Sequence, residues 1–240
     1  MSRIDTVQWG AQRLRVSPWR GDPAVAYVTP AAGNPPSDQT LHDCLRALVD
    51  QRYRGVLTSA LNPAEQQVFR AYGFVVHEHL HLLRHPLDQP VPAHPGARRA
   101  RRGRRGDRAG ALAVDHLAFE PFWRFDQAGL DDARRATPSS RFRVIDRDHI
   151  DAYAVTGRAG SVSYLQRLAV RPDTQRQGLG TELVLDALRW SQRHGARSTL
   201  VNTQEHNHRA LALYEQLGFV RQPVGLDVLE LDLGTSDPTA

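Results

Sequence analysis

The stretch Arg171-Pro172-Asp173-Thr174-Gln175-Arg176-Gln177-Gly178-Leu179-Gly180-Thr181 decides how the rest of the chain is read. It follows an apolar strand candidate at residues 165–170, which Pro172 brings to an end. Beyond it Leu179, Leu183, Ala187, Leu188 and Trp190 recur at helical spacing, and Gly195 after His194 supplies a C-cap. Strand, glycine loop and helix N-terminus together build an anion site, because main-chain N–H groups point into the loop and the helix dipole favours negative charge. Glycine at 178 and 180 lets a phosphate approach the backbone with no Cβ in the way. The pattern predicts a binder of a phosphorylated ligand. It lacks the Gly-Lys-Ser/Thr of a nucleotide P-loop, and Gly178-Leu179-Gly180 is too short for a dinucleotide fingerprint.

The hexamer Gln175-Arg176-Gln177-Gly178-Leu179-Gly180 resembles the Gln/Arg-x-x-Gly-x-Gly loop of the GNAT family of acetyl-CoA-dependent N-acetyltransferases. A second strand candidate at 198–202 follows the helix, and then Asn207-x-x-Ala210-x-x-Leu213-Tyr214-x-x-Leu217-Gly218-Phe219. That segment is similar to the family's other hallmark, in the same order and secondary-structure context. The resemblance covers residues 95–233, with its specific motifs inside 165–220. It implies an α/β fold with a mixed central sheet flanked by helices, preceded here by a truncated copy of the same fold. The residue pattern agrees. Residues 107–119 read as a helix, 141–145 and 152–155 as strands around an Asp146-Arg147-Asp148 turn, and 163–170 and 228–233 as further strands.

The length of 240 residues suits one large domain or two small ones. Hydrophobic residues make up 40% of the chain, enough for a core, yet no apolar run approaches a membrane span. Met1-Ser2-Arg3-Ile4-Asp5 has no apolar segment of signal-peptide type, so a cytoplasmic protein is expected. A single cysteine, Cys44, excludes an intrachain disulfide, and its setting in Leu41-x-x-x-Leu45-x-x-Leu48 indicates a buried helix position. Net charge is +5, and all 31 basic residues are arginine, which we read as genome base composition rather than chemistry.

The first third of the chain repeats the last. Asn62-x-x-x-x-x-Val68-Phe69-x-x-Tyr72-Gly73-Phe74-Val75 superposes on Asn207 to Val220 at an offset of 145, since 207 − 62 and 219 − 74 agree. Val28-Thr29-Pro30 matches Val170-Arg171-Pro172, and the helix pattern from Leu41 matches that from Leu183, both at an offset of 142. Two copies of one supersecondary unit are implied. The first copy has lost the ligand loop. Pro36 and Asp38 stand where the second has Gly178 and Gly180, removing an N–H and adding a negative charge, and Phe69 replaces Tyr214. Residues 1–88 are therefore expected to be a degenerate, non-catalytic half. The whole resembles the tandem, mycothiol-synthase-like acetyltransferases. Residues 89–96 form a proline-rich linker, 97–233 the catalytic domain, and 234–240 a disordered tail.

What the resemblance implies about the site can be put residue by residue. Acetyl-CoA is the cosubstrate. Leu168, Ala169 and Val170 pair with its pantetheine arm. Gln175, Arg176, Gln177, Gly178, Leu179, Gly180 and Thr181 hold the pyrophosphate, and Asn207 contacts the pantetheine. Tyr214 protonates the departing thiolate. Phe122, Trp123 and Phe125 cover the acceptor site, unless they are simply a core aromatic cluster. The general base is where the pattern departs: Gln166 and Asn202 stand where many members carry glutamate, and neither accepts a proton at neutral pH. Glu205 or His206 through water, Glu120 from another segment, or an acceptor amine that arrives neutral are the routes left. The acceptor is a small molecule or a peptide, and the protein is a monomer or homodimer with no membrane partner. A CoA-binding sensor without turnover is the alternative. A third reading is a nucleic-acid binder, through the seven arginines of residues 98–108, but no aromatic residues interleave them for base stacking. His77, His79 and His81 alternate along one strand and suggest a half-exposed edge rather than a metal site.

Overall fold

The computed structural model describes residues 7–9, 12–20, 22–30, 35–92 and 100–234, which divide into two compact units. The first comprises Met1–His81, Gln204–His206 and Pro223–Ala240; the second comprises Leu82–Thr203 and Asn207–Gln222. Residues 93–99, which include the second half of the expected linker, and the tail from 235 lie outside the described residues. No described helix is long and apolar enough to cross a membrane.

In the first unit β1 (Val7–Trp9), β2 (Gln12–Trp19) and β3 (Asp22–Pro30) form an antiparallel meander. Helix α1 (Asp38–Asp50) crosses over to β4 (Gly55–Thr58), which runs parallel to β3. Helix α2 (Pro63–Ala71) then leads to β5 (Val75–His85), of which the residues to His81 belong here. The chain's last strand, β12 (Leu226–Asp232), lies between β4 and β5 and is antiparallel to both. Sequence order alone assigned that strand to the second half. It belongs to the first unit because Leu229 is fully buried in that unit's core with Leu41, Phe69 and Phe74, and its N–H donates to Thr58 Oγ1 at 2.9 Å. Cys44 is buried in the same core, and burial pushes its thiol up to about 12, which leaves it an inert apolar group.

The second unit opens with β6 (Arg101–Arg102), α3 (Arg108–Ala118) and α4 (Gln127–Arg135). Strands β7 (Ser139–Asp146), β8 (Ile150–Ala159) and β9 (Val162–Val170) follow as an antiparallel meander. Helix α5 (Leu179–Arg193) crosses to β10 (Ser198–Gln204), parallel to β9, and α6 (His208–Gln216) leads to β11 (Val220–Arg221). β11 pairs with Leu83 and Arg84 at the end of β5. Two apolar clusters pack the sheet's faces. Leu165, Leu183, Leu188 and Tyr214 join α5 and α6 on one; Val114, Leu130, Tyr153 and Ala169 join α3 and α4 on the other. The mixed sheet flanked by helices is thus present. Helix α4 went unread because its one fully buried apolar position, Leu130, stands among Asp and Arg.

The repeated segment has a physical content common to both units. Asn62 and Asn207 are N-caps, accepting from Ala64 and Glu65 in one and from Ala210 in the other. Gly73 and Gly218 end the helices with φ of 84° and 85°, a region that only glycine enters freely. The buried rings of Phe69 and Tyr214 then stack on Phe74 and Phe219 at 5.3 and 5.5 Å. Asn62 also has Glu65 bonding back to its own N–H, a complete capping box. Asn62→Ala is expected to cost about 1 kcal/mol, read as a lower urea midpoint at unchanged slope.

Candidate active site

The site is built where β9 ends. Its parallel ladder with β10 stops at Leu200↔Tyr164, although β9 runs on to Val170 and β10 to Gln204. From Leu165 onward β9 is laddered on one edge only, to β8, so Leu168, Ala169 and Val170 have an edge outside the ladder. A one-residue bulge falls in the same strand: Val155 faces Arg167 and Thr156 faces Leu165, leaving Gln166 without a partner. In the first unit the corresponding strands stay zipped. There β3 pairs with β4 as far as Val28↔Thr58, and Ser59 still donates to Val28 O.

The glycine loop closes against this strand end. Arg176 and Gly178 have φ of 62° and 82° on either side of Gln177, an alternation that turns successive N–H groups into a concave nest. Gly178 N-caps α5 without a side-chain bond, so the amides of Leu179, Gly180 and Thr181 lack an acceptor among the described residues. In α1 of the first unit Ser37 Oγ takes the corresponding Thr40 N–H. A Cβ at Gly180 would lie 3.2 Å from Leu213 Cδ2 and 3.8 Å from Val170 Cγ2, so loop, strand end and α6 meet there. Side chains brace the loop: Gln175 donates to Val170 O, Arg209 to Gln175, and Arg147 to Gln177.

Tyr214, on α6, is 5% exposed. Its hydroxyl has no hydrogen-bond partner among the described residues. Burial raises its pKa above that of an ordinary tyrosine, and the charge of Arg167 works against that rise. Asn207 is committed through its Oδ1 to capping α6, which leaves its Nδ2 for a ligand.

On the opposite face of the sheet the strongest feature was not picked out from the sequence. Asp115 of α3 is wholly buried and accepts from Arg167 Nε (2.7 Å), Arg167 Nη2 (2.8 Å), Phe125 N (2.7 Å) and the Tyr153 hydroxyl. The Arg167 guanidinium, on β9, also donates to Trp123 O and lies 3.4 Å from the Phe119 ring centre and 4.0 Å from that of Phe125. The Trp123 carbonyl and the Phe125 N–H and ring are thus held beside β9, and Phe125 also packs against the apolar cluster of this face. The signal for this network was an acid in the apolar phase of α3 and an arginine inside an apolar strand, each a buried charge that demands a partner.

Other expected residues are not brought together. Glu120 precedes the 3-10 turn Pro121–Trp123 and is exposed, its carboxylate free of ion pairs among the described residues. Glu205 and His206 are exposed and group with the first unit, where Glu205 N donates to His79 O. Gln166 and Asn202 stand where the resemblance places a base. The Gln166 carboxamide oxygen is buried without a hydrogen bond, and a Cβ on Gly157 would lie 2.8 Å from its Nε2. The basic run is partly neutralised: Arg101 bonds Asp107 and Asp146, and Arg108 pairs with Asp131. His77 and His79 each lie 2.8 Å from a carboxylate of β12, Glu230 and Asp227. No cluster of metal-ligating side chains occurs among the described residues.

A profile of the acetyltransferase (GNAT) family matches residues 113–219. The chain is 31% identical to mycothiol acetyltransferase of Streptomyces coelicolor over 179 residues, covering 68% of this chain and 57% of that protein. It is 33% identical over 78 residues to the ribosomal protein bS18-alanine N-acetyltransferase of Escherichia coli, covering 32% of this chain and 53% of that one. The chain thus spans just over half the length of these curated relatives. Among solved structures, a tandem GNAT protein from the clavulanic acid biosynthesis pathway is similar in fold, with a TM-score of 0.65 at 18% identity. That likeness covers 99% of this chain and 86% of that one.

Proposed function

Because the chain belongs to the GNAT acetyltransferase superfamily, we propose that its second unit transfers the acetyl group of acetyl-CoA directly to a primary amine, of a small metabolite or a peptide N-terminus. The observation that carries this reading is the ladder that stops at Leu200↔Tyr164 beside an uncapped helix N-terminus. A one-edged strand and a nest of orphan amides suit an extended arm that ends in a pyrophosphate. When bound, acetyl-CoA supplies an activated thioester. The free edge of Leu168, Ala169 and Val170 takes the pantetheine amides as an added strand. The amides of residues 177–181 and the Arg176 side chain take the pyrophosphate, while Asn207 Nδ2 reaches the pantetheine. The N–H of Leu168 steadies the developing oxyanion, and Tyr214 gives its proton to the leaving thiolate.

The absence of a carboxylate at Gln166 and Asn202, with Glu120 facing solvent, favours an acceptor that arrives as the neutral amine. The same absence favours a second reading, an acetyl-CoA sensor without turnover. The first unit is proposed to be non-catalytic, since its parallel strands are zipped and its helix is capped by its own Ser37.

Calorimetry of acetyl-CoA on wild type and Gly178→Pro, followed by thiol release against a panel of amines, tests both readings. Proline cannot adopt the φ of 82° at this position, so binding is expected to be lost while the circular dichroism spectrum is kept. Binding without turnover on any amine selects the sensor. Unchanged binding by the proline variant removes the loop from the site.

A further inference from the structure

The side of the second unit's sheet on which α5 lies carries arginines that the acetyl-CoA site does not use. Along β7, Phe142 and Val144 pack in the cluster beneath α3 and α4, whereas Ile145 packs in the cluster with α5. Arg141 and Arg143 share the parity of Ile145 and so point to the α5 side. Helix α5 packs on β8 and β9, and β6 is the edge strand beyond β7. The two arginines therefore floor a strip between helix and edge. Arg141 Nη2 (3.2 Å) and Arg143 Nε (3.0 Å) both donate to the Asp186 carboxylate of α5. Register sets Arg102 of β6 opposite Arg143, on the same face. Arg189 and Arg193, one helical turn apart, line the α5 side. Burial lowers the pKa of Arg141, Asp186 opposes that shift, and the charges of Arg143, Arg193 and Arg189 add to it.

Positive charge is in excess here. The other acid on this side of α5, Glu182, is buried and accepts the Ala100 N–H at 2.6 Å. Among the described residues five guanidiniums thus meet two carboxylates. Donors are also left over. Arg102 and Arg193 are exposed with no side-chain bond among the described residues, Arg189 has one, to Pro92 O, and Arg141 Nε and Nη1 have none.

The shape and the company of these arginines narrow the partner. Arg141 and Arg143 are recessed, with side chains 24% and 15% exposed, while Arg102 and Arg193 stand in solvent. A flat lipid surface meets only the rim, whereas a ridge of phosphates meets rim and floor. The exposed large apolar residues, Val49, Val75, Leu117, Val220 and Val224, all lie outside α5 and β7. A protein partner would need an apolar anchor at the centre of its contact. None of the arginines has an aromatic neighbour in the strip on which an unpaired base could stack. Charge alone remains, which is the sequence-independent grip on a phosphate backbone.

We propose that the α5–β7 face binds the phosphate backbone of a double-stranded nucleic acid without reading its sequence. From Gly178 to Arg189 the helix axis advances about 16 Å, so this surface is separate from the glycine loop and does not rest on the transferase reading.

The test is the fluorescence anisotropy of a short labelled DNA duplex titrated with the full chain, in excess CoA, over a range of salt. Four guanidiniums keep free donors. If each meets one phosphate, log Kobs is expected to fall against log salt with a slope of about −3.6, at about 0.9 per phosphate. Duplexes of different sequence are expected to bind alike. Arg189→Gln with Arg193→Gln is expected to flatten the slope by about 1.8 and to keep the circular dichroism spectrum, since neither arginine belongs to the core. Arg176→Gln, in the glycine loop, is expected to leave duplex binding as it is. No duplex binding at low salt overturns the proposal. So does binding that survives the double substitution, or that is lost in Arg176→Gln. A glutamate-rich peptide, or vesicles of phosphatidylserine and phosphatidylcholine, bound more tightly than the duplex through the same arginines would overturn it in favour of an acidic protein or a membrane.

Discussion

Replacing Tyr214 by phenylalanine is expected to lower kcat by on the order of 100-fold or more, while the fold and the KM for acetyl-CoA hold. The first unit shows that the exchange is sterically neutral, because Phe69 occupies the matching place and stacks on Phe74 at 5.3 Å, as Tyr214 does on Phe219 at 5.5 Å. Only the hydroxyl changes, and no described group depends on it. Burial raises the pKa of Tyr214, so the acid stays protonated through and beyond the ordinary tyrosine value of about 10. Wild-type kcat at saturating acceptor should therefore not fall with rising pH on account of this residue anywhere below that value. A Tyr214→Phe enzyme that keeps wild-type kcat would remove the hydroxyl from the chemistry.

Tyr214 and Tyr153 also bear on stability. Both have pKa values raised in the folded state, mainly by burial. The folded protein thus holds protons that the unfolded chain has released. Their contribution is complete below the unfolded tyrosine value of about 10 and is lost as pH rises above it.

Asp115→Ala is expected to be the most destabilising single substitution in the second unit. Asp115 accepts from four donors with no exposure, and its loss leaves the Arg167 guanidinium largely buried without a counter-charge. Breaking one side of such a pair costs about 3–5 kcal/mol, a large share of the 5–15 kcal/mol typical of a domain. The network also ties α3, β8 and β9 to the segment that holds Trp123 and Phe125. Removing both charges together, in Asp115→Leu with Arg167→Met, is expected to recover much of the loss, because the desolvation penalty then disappears from both partners. Urea denaturation of the two variants decides the point. A single variant as stable as wild type would show that the pair contributes little, and a double variant no better than the single would place the cost in packing.

The local parts of this protein were legible in residue order because their causes are local. Gly178 and Gly180 mark a helix that starts without a cap, Asn62 and Asn207 are caps, and Gly73 and Gly218 stop their helices at positive φ. Each is decided within a few residues, so the duplication and the loop could be read directly. Three matters were decided only in three dimensions. The strand at Leu226–Asp232 joins the first unit because Leu229 finds its cavity there, and strand order within a sheet is not a property of sequence distance. The β9–β10 ladder parts at Tyr164 while the β3–β4 ladder closes to Val28, although Val28-Thr29-Pro30 matches Val170-Arg171-Pro172 in sequence. Asp115 and Arg167 are 52 residues apart, and nothing in either neighbourhood names the other. A buried charge announces in the sequence that a partner must exist; only the tertiary packing chooses which one.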